Sequence, residues 1–197
     1  MSLTRRDFIG TLASTAVLCG VGGVSVAGAG SDSLLRPPGG QNESHFLEGC
    51  LRCDRCRSVC PENCIGLAKI EDGLIHIRTP KMDFHRGKCT FCNRCIEICP
   101  TQTLESFDSS VQKIGVAQLN NERCVAWKNP GSCNKCQEAC EYGAIDISEG
   151  YPHVNEGLCN GCGACEYACP ALILLSLTDG QDRGIVVRSL TENAKEA

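Results

Sequence analysis

The feature that most restricts this chain is one cysteine run repeated four times. Its plainest copy is Cys159, Cys162, Cys165 and Cys169, followed by Pro170. This is C-x2-C-x2-C-x3-C-P, the spacing that holds a [4Fe–4S] cubane. Three cysteines on one tight loop grip three iron corners. The fourth is expected to open a short helix and, in two-cluster proteins, to reach across to the other cluster. Cys50, Cys53, Cys56 and Cys60 precede Pro61 in the same way, and Cys89, Cys92, Cys95 and Cys99 precede Pro100. The third copy is stretched: Cys124, then eight residues, then Cys133, Cys136 and Cys140. Sixteen of the eighteen cysteines are thereby used, which predicts four [4Fe–4S] clusters with those sixteen thiolates as iron ligands.

Two other uses of cysteine compete with this reading. An even number in an exported chain suggests disulfides, but thiols two residues apart in threes are badly placed to pair with distant partners. Zinc takes C-x2-C pairs, typically as two separated pairs closing one tetrahedron. Composition favours clusters. Aromatic residues make up only 5% of the chain, and 18 cysteines inflate the hydrophobic fraction of 42%. So thin an apolar supply makes metal binding and folding one event. The formal net charge is −4, and no basic face points to nucleic acid.

Thr4-Arg5-Arg6-Asp7-Phe8 and the Gly/Ala-rich apolar run after it read as a twin-arginine export signal over residues 1–29. Ala27-Gly28-Ala29 resembles a cleavage site, so the mature chain is expected to begin near Gly30. An uncleaved signal acting as a membrane anchor is the alternative. Clusters are assembled in the reducing cytoplasm, and this route exports folded proteins, so signal and cofactor explain each other. Cys19 lies inside this segment; the Leu18 before it is too large for a lipid-anchor processing site.

Residues 30–49 read as a linker, because Arg36-Pro37-Pro38-Gly39 blocks regular structure. The cluster-bearing region is expected over 50–190, with a frayed tail at 191–197. Three hairpins are predicted between the motifs. One runs from Ile65 to Ile77 about Asp72-Gly73, and a second pairs 104–110 with 113–119. A third turns at Glu149-Gly150 between 144–147 and 152–154. Residues 171–177 form a closing strand, with 184–187 as its partner. The result is a repeat of about 35 to 40 residues and an α+β fold class: two fused two-cluster bacterial-ferredoxin-like folds of short helices and β-hairpins.

Particular residues narrow the reading further. Leu35-Arg36-Pro37-Pro38-Gly39 and Phe46 lead into Cys50. Pro80-Lys81-Met82-Asp83-Phe84 leads to Cys89-Thr90-Phe91-Cys92, and the stretched third motif ends Cys140-Glu141-Tyr142-Gly143-Ala144-Ile145. With the twin arginines, these resemble the accessory ferredoxins of periplasmic nitrate reductase systems and the related ferredoxin of methylamine utilisation. The resemblance implies a periplasmic carrier, held in some cases at the outer face of the inner membrane. Its electrons would come from a membrane quinol-oxidising iron–sulfur protein and pass to a periplasmic reductase or cytochrome. Because the interval before the second motif is short, service to another membrane-bound molybdenum oxidoreductase, or a role in reductase maturation, stands as the alternative.

No Gly-rich nucleotide loop, Ser–His–Asp set or open metal constellation appears in the sequence, so neither a small-molecule substrate nor an enzyme activity is expected. Adjacent pairing of motifs (first with second, third with fourth) and nested pairing both satisfy the linker lengths. Arg52, Arg55 and Arg57 in the first motif either raise the potential of a cluster at an exposed end or are solvated loop residues. The insertion 125–132, with Trp127 and Lys128, is a docking loop or a packed-down surface loop. Cys64 reads as a small buried hydrophobe, and His45, His76, His85 and His153 as structural.

Overall fold

The computed structural model describes residues 34–171 and 183–190. The export signal, the tail and residues 172–177 of the expected closing strand lie outside the described residues. The elements are short, as expected of a chain organised by its loops. The helices are α1 (Glu43–Gly49), α2 (Arg55–Val59), α3 (Arg94–Glu97), α4 (Val125–Lys128), α5 (Lys135–Glu138) and α6 (Ala164–Ala168). The strands are β1 (Ile65–Leu67), β2 (Pro80–Met82), β3 (Val116–Leu119), β4 (Ile145–Ser148), β5 (Tyr151–Val154) and β6 (Ile185–Arg188). They form three two-stranded antiparallel sheets, β1–β2, β3–β6 and β4–β5. This is a double ferredoxin-like fold. Motifs one and two form one half through the α2–α3 contact, and motifs three and four form the other through α5–α6.

Of the three expected hairpins, the third forms as predicted. β4 pairs with β5 from Ile145↔Val154 to Ser148↔Tyr151. Glu149 (φ 53) and Gly150 (φ 87) supply the two positive φ values that a tight hairpin turn of this twist requires. The first hairpin exists, but its second strand lies further on. Asp72-Gly73 sits between two 3-10 turns, Ile70–Asp72 and Leu74–His76, and β1 pairs with Pro80–Met82. Asp72 folds back to accept the Lys69 N–H at 2.7 Å and an ion pair from Lys81 at 2.6 Å, which spends the turn residues on a wider loop. The second hairpin does not form. β3 pairs with β6, from Val116↔Arg188 to Leu119↔Ile185, and 104–110 is an irregular segment that buries Leu104 and Phe107. The same pairing takes 185–187 away from the closing strand proposed for them.

The expected linker is also corrected, because residues 35–40 are part of the core. Arg36 is 3% exposed, and Pro37 and Pro38 are fully buried. Arg36 donates to Thr79 Oγ1 and Pro80 O, both at 2.8 Å, and to Glu43 Oε2 at 2.8 Å, while its guanidinium lies 4.6 Å from the Phe46 ring centre. Each donor on a buried guanidinium needs a partner, and this segment meets that need on α1 and β2. One apolar core runs through both halves, with Phe46, Phe84, Ile114 and Ile185 as its largest buried side chains.

Candidate metal centres

Each motif builds the same loop. The short helix lies between the second and fourth cysteines and carries the third: Cys60 caps α2 and Cys169 caps α6, while α3 and α5 are capped one residue before the fourth cysteine, by Ile98 and Ala139. The expectation that the fourth cysteine opens a helix is therefore reversed. In three motifs the proline after the fourth cysteine, Pro61, Pro100 or Pro170, keeps the helix from continuing. The second cysteine is flanked by left-handed residues in three motifs: Arg52 and Asp54, Phe91 and Asn93, Gly161 and Gly163. Alternating handedness turns successive amide N–H groups to one side, a concavity suited to anionic sulfur. Three residues past the fourth cysteine a further positive φ recurs at Asn63, Gln102 and Gly143. This turn aims the next amides at sulfur: Ala144 N–H donates to Cys140 Sγ at 3.3 Å, and elsewhere Ala117 N–H lies 3.5 Å from Cys159 Sγ.

The sixteen predicted residues gather into four cysteine quartets, each lining a cavity. Cavity I is lined by Cys50, Cys53 and Cys56 together with Cys99. Cavity II takes Cys89, Cys92 and Cys95 with Cys60. Cavity III is lined by Cys124, Cys133 and Cys136 with Cys169, and cavity IV by Cys159, Cys162 and Cys165 with Cys140. Every fourth cysteine crosses to its neighbour's site. Of the two pairings that the sequence left open, the fold adopts the adjacent one.

The cavities form a series. Cavities I and II share the α2–α3 pair, and III and IV share α5–α6. The halves meet between II and IV, where Cys89 N–H donates to Cys162 O at 2.8 Å. Phe91 stands edge-on to Tyr142 across the same seam, with ring centres 6.4 Å apart, and Lys88 pairs with Glu141. The order is I–II–IV–III.

The donor set fits a cubane better than one ion. Zinc draws thiolates in to about 2.3 Å, whereas no three His, Cys, Asp or Glu side chains among the described residues converge closely enough for a single ion. The quartets surround space instead. Asn160 strengthens the fit. It is 5% exposed, lines cavity IV, and accepts the Cys162 N–H at 3.2 Å, yet its amide nitrogen has no protein partner. A buried N–H2 beside sulfur is a donor for a charged cluster. Burial pushes the Cys56 and Cys95 thiols up to about 12, and Cys136 and Cys162 up to about 11. Loading the centres must therefore displace protons, so metal affinity rises with pH.

Cys64 is buried as expected, at 1% exposure, but the sequence did not reveal its neighbours. It lines cavity II, and its Sγ lies 3.6 Å from Cys60 Sγ. A hydrogen bond shared with Cys89, followed by burial, pushes the Cys64 thiol far up and holds it protonated. The insertion after Cys124 is a packed surface segment. Ala126 is buried, and Trp127 lies 4.7 Å from the Tyr151 ring. The histidines have structural settings: His76 is buried against Glu43 at 3.3 Å, His45 faces Glu105, His85 faces Glu166, and His153 is exposed on β5.

Comparisons with known proteins agree with this geometry. The 4Fe-4S dicluster domain family matches residues 49–103 and 131–173, one segment in each half. The ferredoxin-type protein NapF of Escherichia coli K12 is 34% identical over 141 residues, which covers 69% of this chain and 80% of the relative. NapG of the same strain is 29% identical, over 88% of this chain and 86% of its own. The methylamine utilization ferredoxin-type protein MauM of Paracoccus denitrificans is 30% identical, over 85% and 83%. With a dicluster domain in each half and this likeness along most of its length, the chain belongs to the ferredoxin-type [4Fe–4S] electron-transfer family of NapF, NapG and MauM.

Proposed function

We propose that this chain is a non-catalytic carrier of four [4Fe–4S] clusters, ligated by the sixteen cysteines of cavities I–IV. The observation that carries the reading is the set of four quartets in unbroken series, with each fourth cysteine exchanged between neighbours. A cubane supplies one-electron chemistry without bond making or proton transfer, and the protein contributes position, burial and hydrogen bonds to sulfur. The chain's own part is to keep the four sites adjacent, to exclude bulk water from the inner faces of II and IV, and to aim amides at sulfur.

The wider setting belongs to the same proposal. The twin arginines at Arg5 and Arg6 support export to the periplasm. There the chain passes electrons from a membrane quinol-oxidising iron–sulfur partner towards a terminal reductase or cytochrome of the nitrate-reductase type. Iron and sulfide quantitation with EPR on the anaerobically purified chain tests the core of this reading. About sixteen irons, with coupled signals after dithionite, are expected; zinc in stoichiometric amount, or oxidised thiols without iron, would end it. Fractionation of cells carrying R5K and R6K tests export, and an unchanged periplasmic yield would remove that part.

A further inference from the structure

Cavity I ends the series, and its outer face joins exposed apolar side chains to cations that have no carboxylate partner. Leu51, beside Cys50, is 66% exposed, and Cys53 is itself exposed. The 3-10 turns between β1 and β2 bring up Ile70, Leu74 and Ile75, exposed by 71%, 57% and 58%. Arg52 ties the two segments together by donating to Ile75 O at 2.9 Å. Large apolar side chains left open on adjoining turns mark an interaction site more often than chance.

The charges around this face say what it fits. Arg57 is paired with Asp54 at 2.7 Å, Lys69 with Glu71, and Lys81 with Asp72. Arg52, Arg55 and Arg78 are exposed and form no ion pair with a carboxylate among the described residues. These unpaired cations collect at one end of a chain whose formal net charge is −4. We propose that this face, formed by Leu51, Ile70, Leu74 and Ile75 with Arg52, Arg55 and Arg78, is where a redox protein with an apolar contact zone and an acidic rim docks to exchange electrons with cavity I. The proposal rests on the four-cluster reading. One electron crosses per encounter: a reduced centre in this chain loses it, the partner's centre gains it, and no bond or proton changes. Apolar contact holds the encounter while opposite charge steers it, which sets a rate that falls with salt.

The test uses the full, iron-loaded chain, reduced with dithionite and freed of excess reductant. It is mixed in a stopped-flow instrument with oxidised acidic plastocyanin, whose Cu(II) is reduced to Cu(I). The second-order rate is expected to fall steeply with ionic strength. It should also fall about tenfold in R55Q/R78Q and in I70Q/L74Q at low salt, while V111D, elsewhere on the surface, leaves it unchanged. Oxidised cytochrome c, a basic probe, should gain nothing from the arginines. Unchanged rates in both double variants overturn the proposal. So does a shifted potential in R55Q/R78Q with the salt dependence intact, since the arginines would then serve only the cluster. Capture of the wild type, but not of I70Q/L74Q, on phosphatidylglycerol vesicles overturns it as well, and makes the face membrane-directed. A wild-type chain without reducible iron refutes the four-cluster reading itself, whereas iron-loaded variants that react at wild-type rate refute only the docking surface.

Discussion

The two halves hold two cavities each by the same cysteine exchange, yet they close their outer ends by different physics. In the second half, β3 and β6 close the fold with a four-residue ladder, from Val116↔Arg188 to Leu119↔Ile185. The corresponding end of the first half is occupied by 35–40 and 104–106, where Pro37 and Pro38 have no N–H to donate. Only one rung survives there, Glu105 N–H to Gly39 O at 3.0 Å. The Arg36 network stands in for the missing ladder, and side chains do what backbone does in the other half. A ladder is indifferent to charge, whereas a buried guanidinium depends on its acidic partner and on pH.

The shared part of the comparison is broken most severely at the crossing cysteines. C99S should remove the same EPR component as C53S, and a different one from C92S, because Cys99 serves cavity I. C169S should match C133S in cavity III by the same argument. Each is expected to cost about four irons, one cubane's worth. Loss of the C92S component in C99S would mean that the exchange is absent from the first half.

Arg36 comes next in size. R36M leaves Glu43 partly buried with its main partner gone, at a cost of about 3 kcal/mol. Hydrogen exchange should show the loss in 34–82 and leave the β3–β6 amides near wild type; uniform loss through both halves would mean that the ladder depends on the clamp. The seam between the halves is tested at Gly163. A Cβ there would stand 2.1 Å from the Phe84 ring. G163N keeps the left-handed backbone, which Asn tolerates, so its cost of about 2 kcal/mol isolates the overpacking. F84A combined with it should recover part of that cost in a chemical denaturation series.

The four cysteine motifs could be read from the sequence because their spacing is covalent and local. Their pairing could not, since it depends on which short helices pack together, and both arrangements used the same residues. The β4–β5 hairpin was readable because Glu149-Gly150 decides it within four residues. β3 was readable as a strand but not as the partner of β6, because apolar alternation identifies a face and never names the strand across from it. Arg36 failed for the opposite reason. In Leu35-Arg36-Pro37-Pro38-Gly39 every local signal says loop, and the residues that bury it lie about forty positions away at His76, Thr79 and Pro80. Asn160 and Cys64 give no local signal either, and their interest comes from standing beside sulfur.

A smaller effect sharpens the contrast through pH. Burial, then the Arg36 charge, lowers the pKa of His76 from its ordinary value. A depressed histidine is held neutral by the fold, so its contribution is complete above about pH 6.5 and is lost as pH falls below that. Between pH 8 and pH 5 the first half should therefore lose protection around His76, whereas the second half, where burial pushes the Glu166 carboxyl up to about 7, should not. H76Q should flatten the difference. A pH response of equal size in H76Q would assign it to the thiols instead.

The smallest effect concerns the loops themselves. The fourth motif meets its left-handed positions with Gly161 and Gly163, and the first meets them with Arg52 and Asp54. A non-glycine residue there carries about 1 kcal/mol of strain, so R52G ought to relieve it. Glycine returns nearly as much in unfolded-state entropy, and the Arg52 bond to Ile75 O at 2.9 Å is lost, worth about 1 kcal/mol at most on an exposed surface. These contributions nearly cancel, and R52G should fall within about 1 kcal/mol of wild type in denaturant. Gly161 has no such freedom. A Cβ there would stand 2.5 Å from Gly115 N, so G161R is expected to be severely destabilised. Folding alone would thus accept glycine in the first loop as readily as it demands it in the fourth. An R52G chain that folds and loads iron normally, but transfers electrons to an acidic partner more slowly, would show that the arginine is retained for the surface it forms.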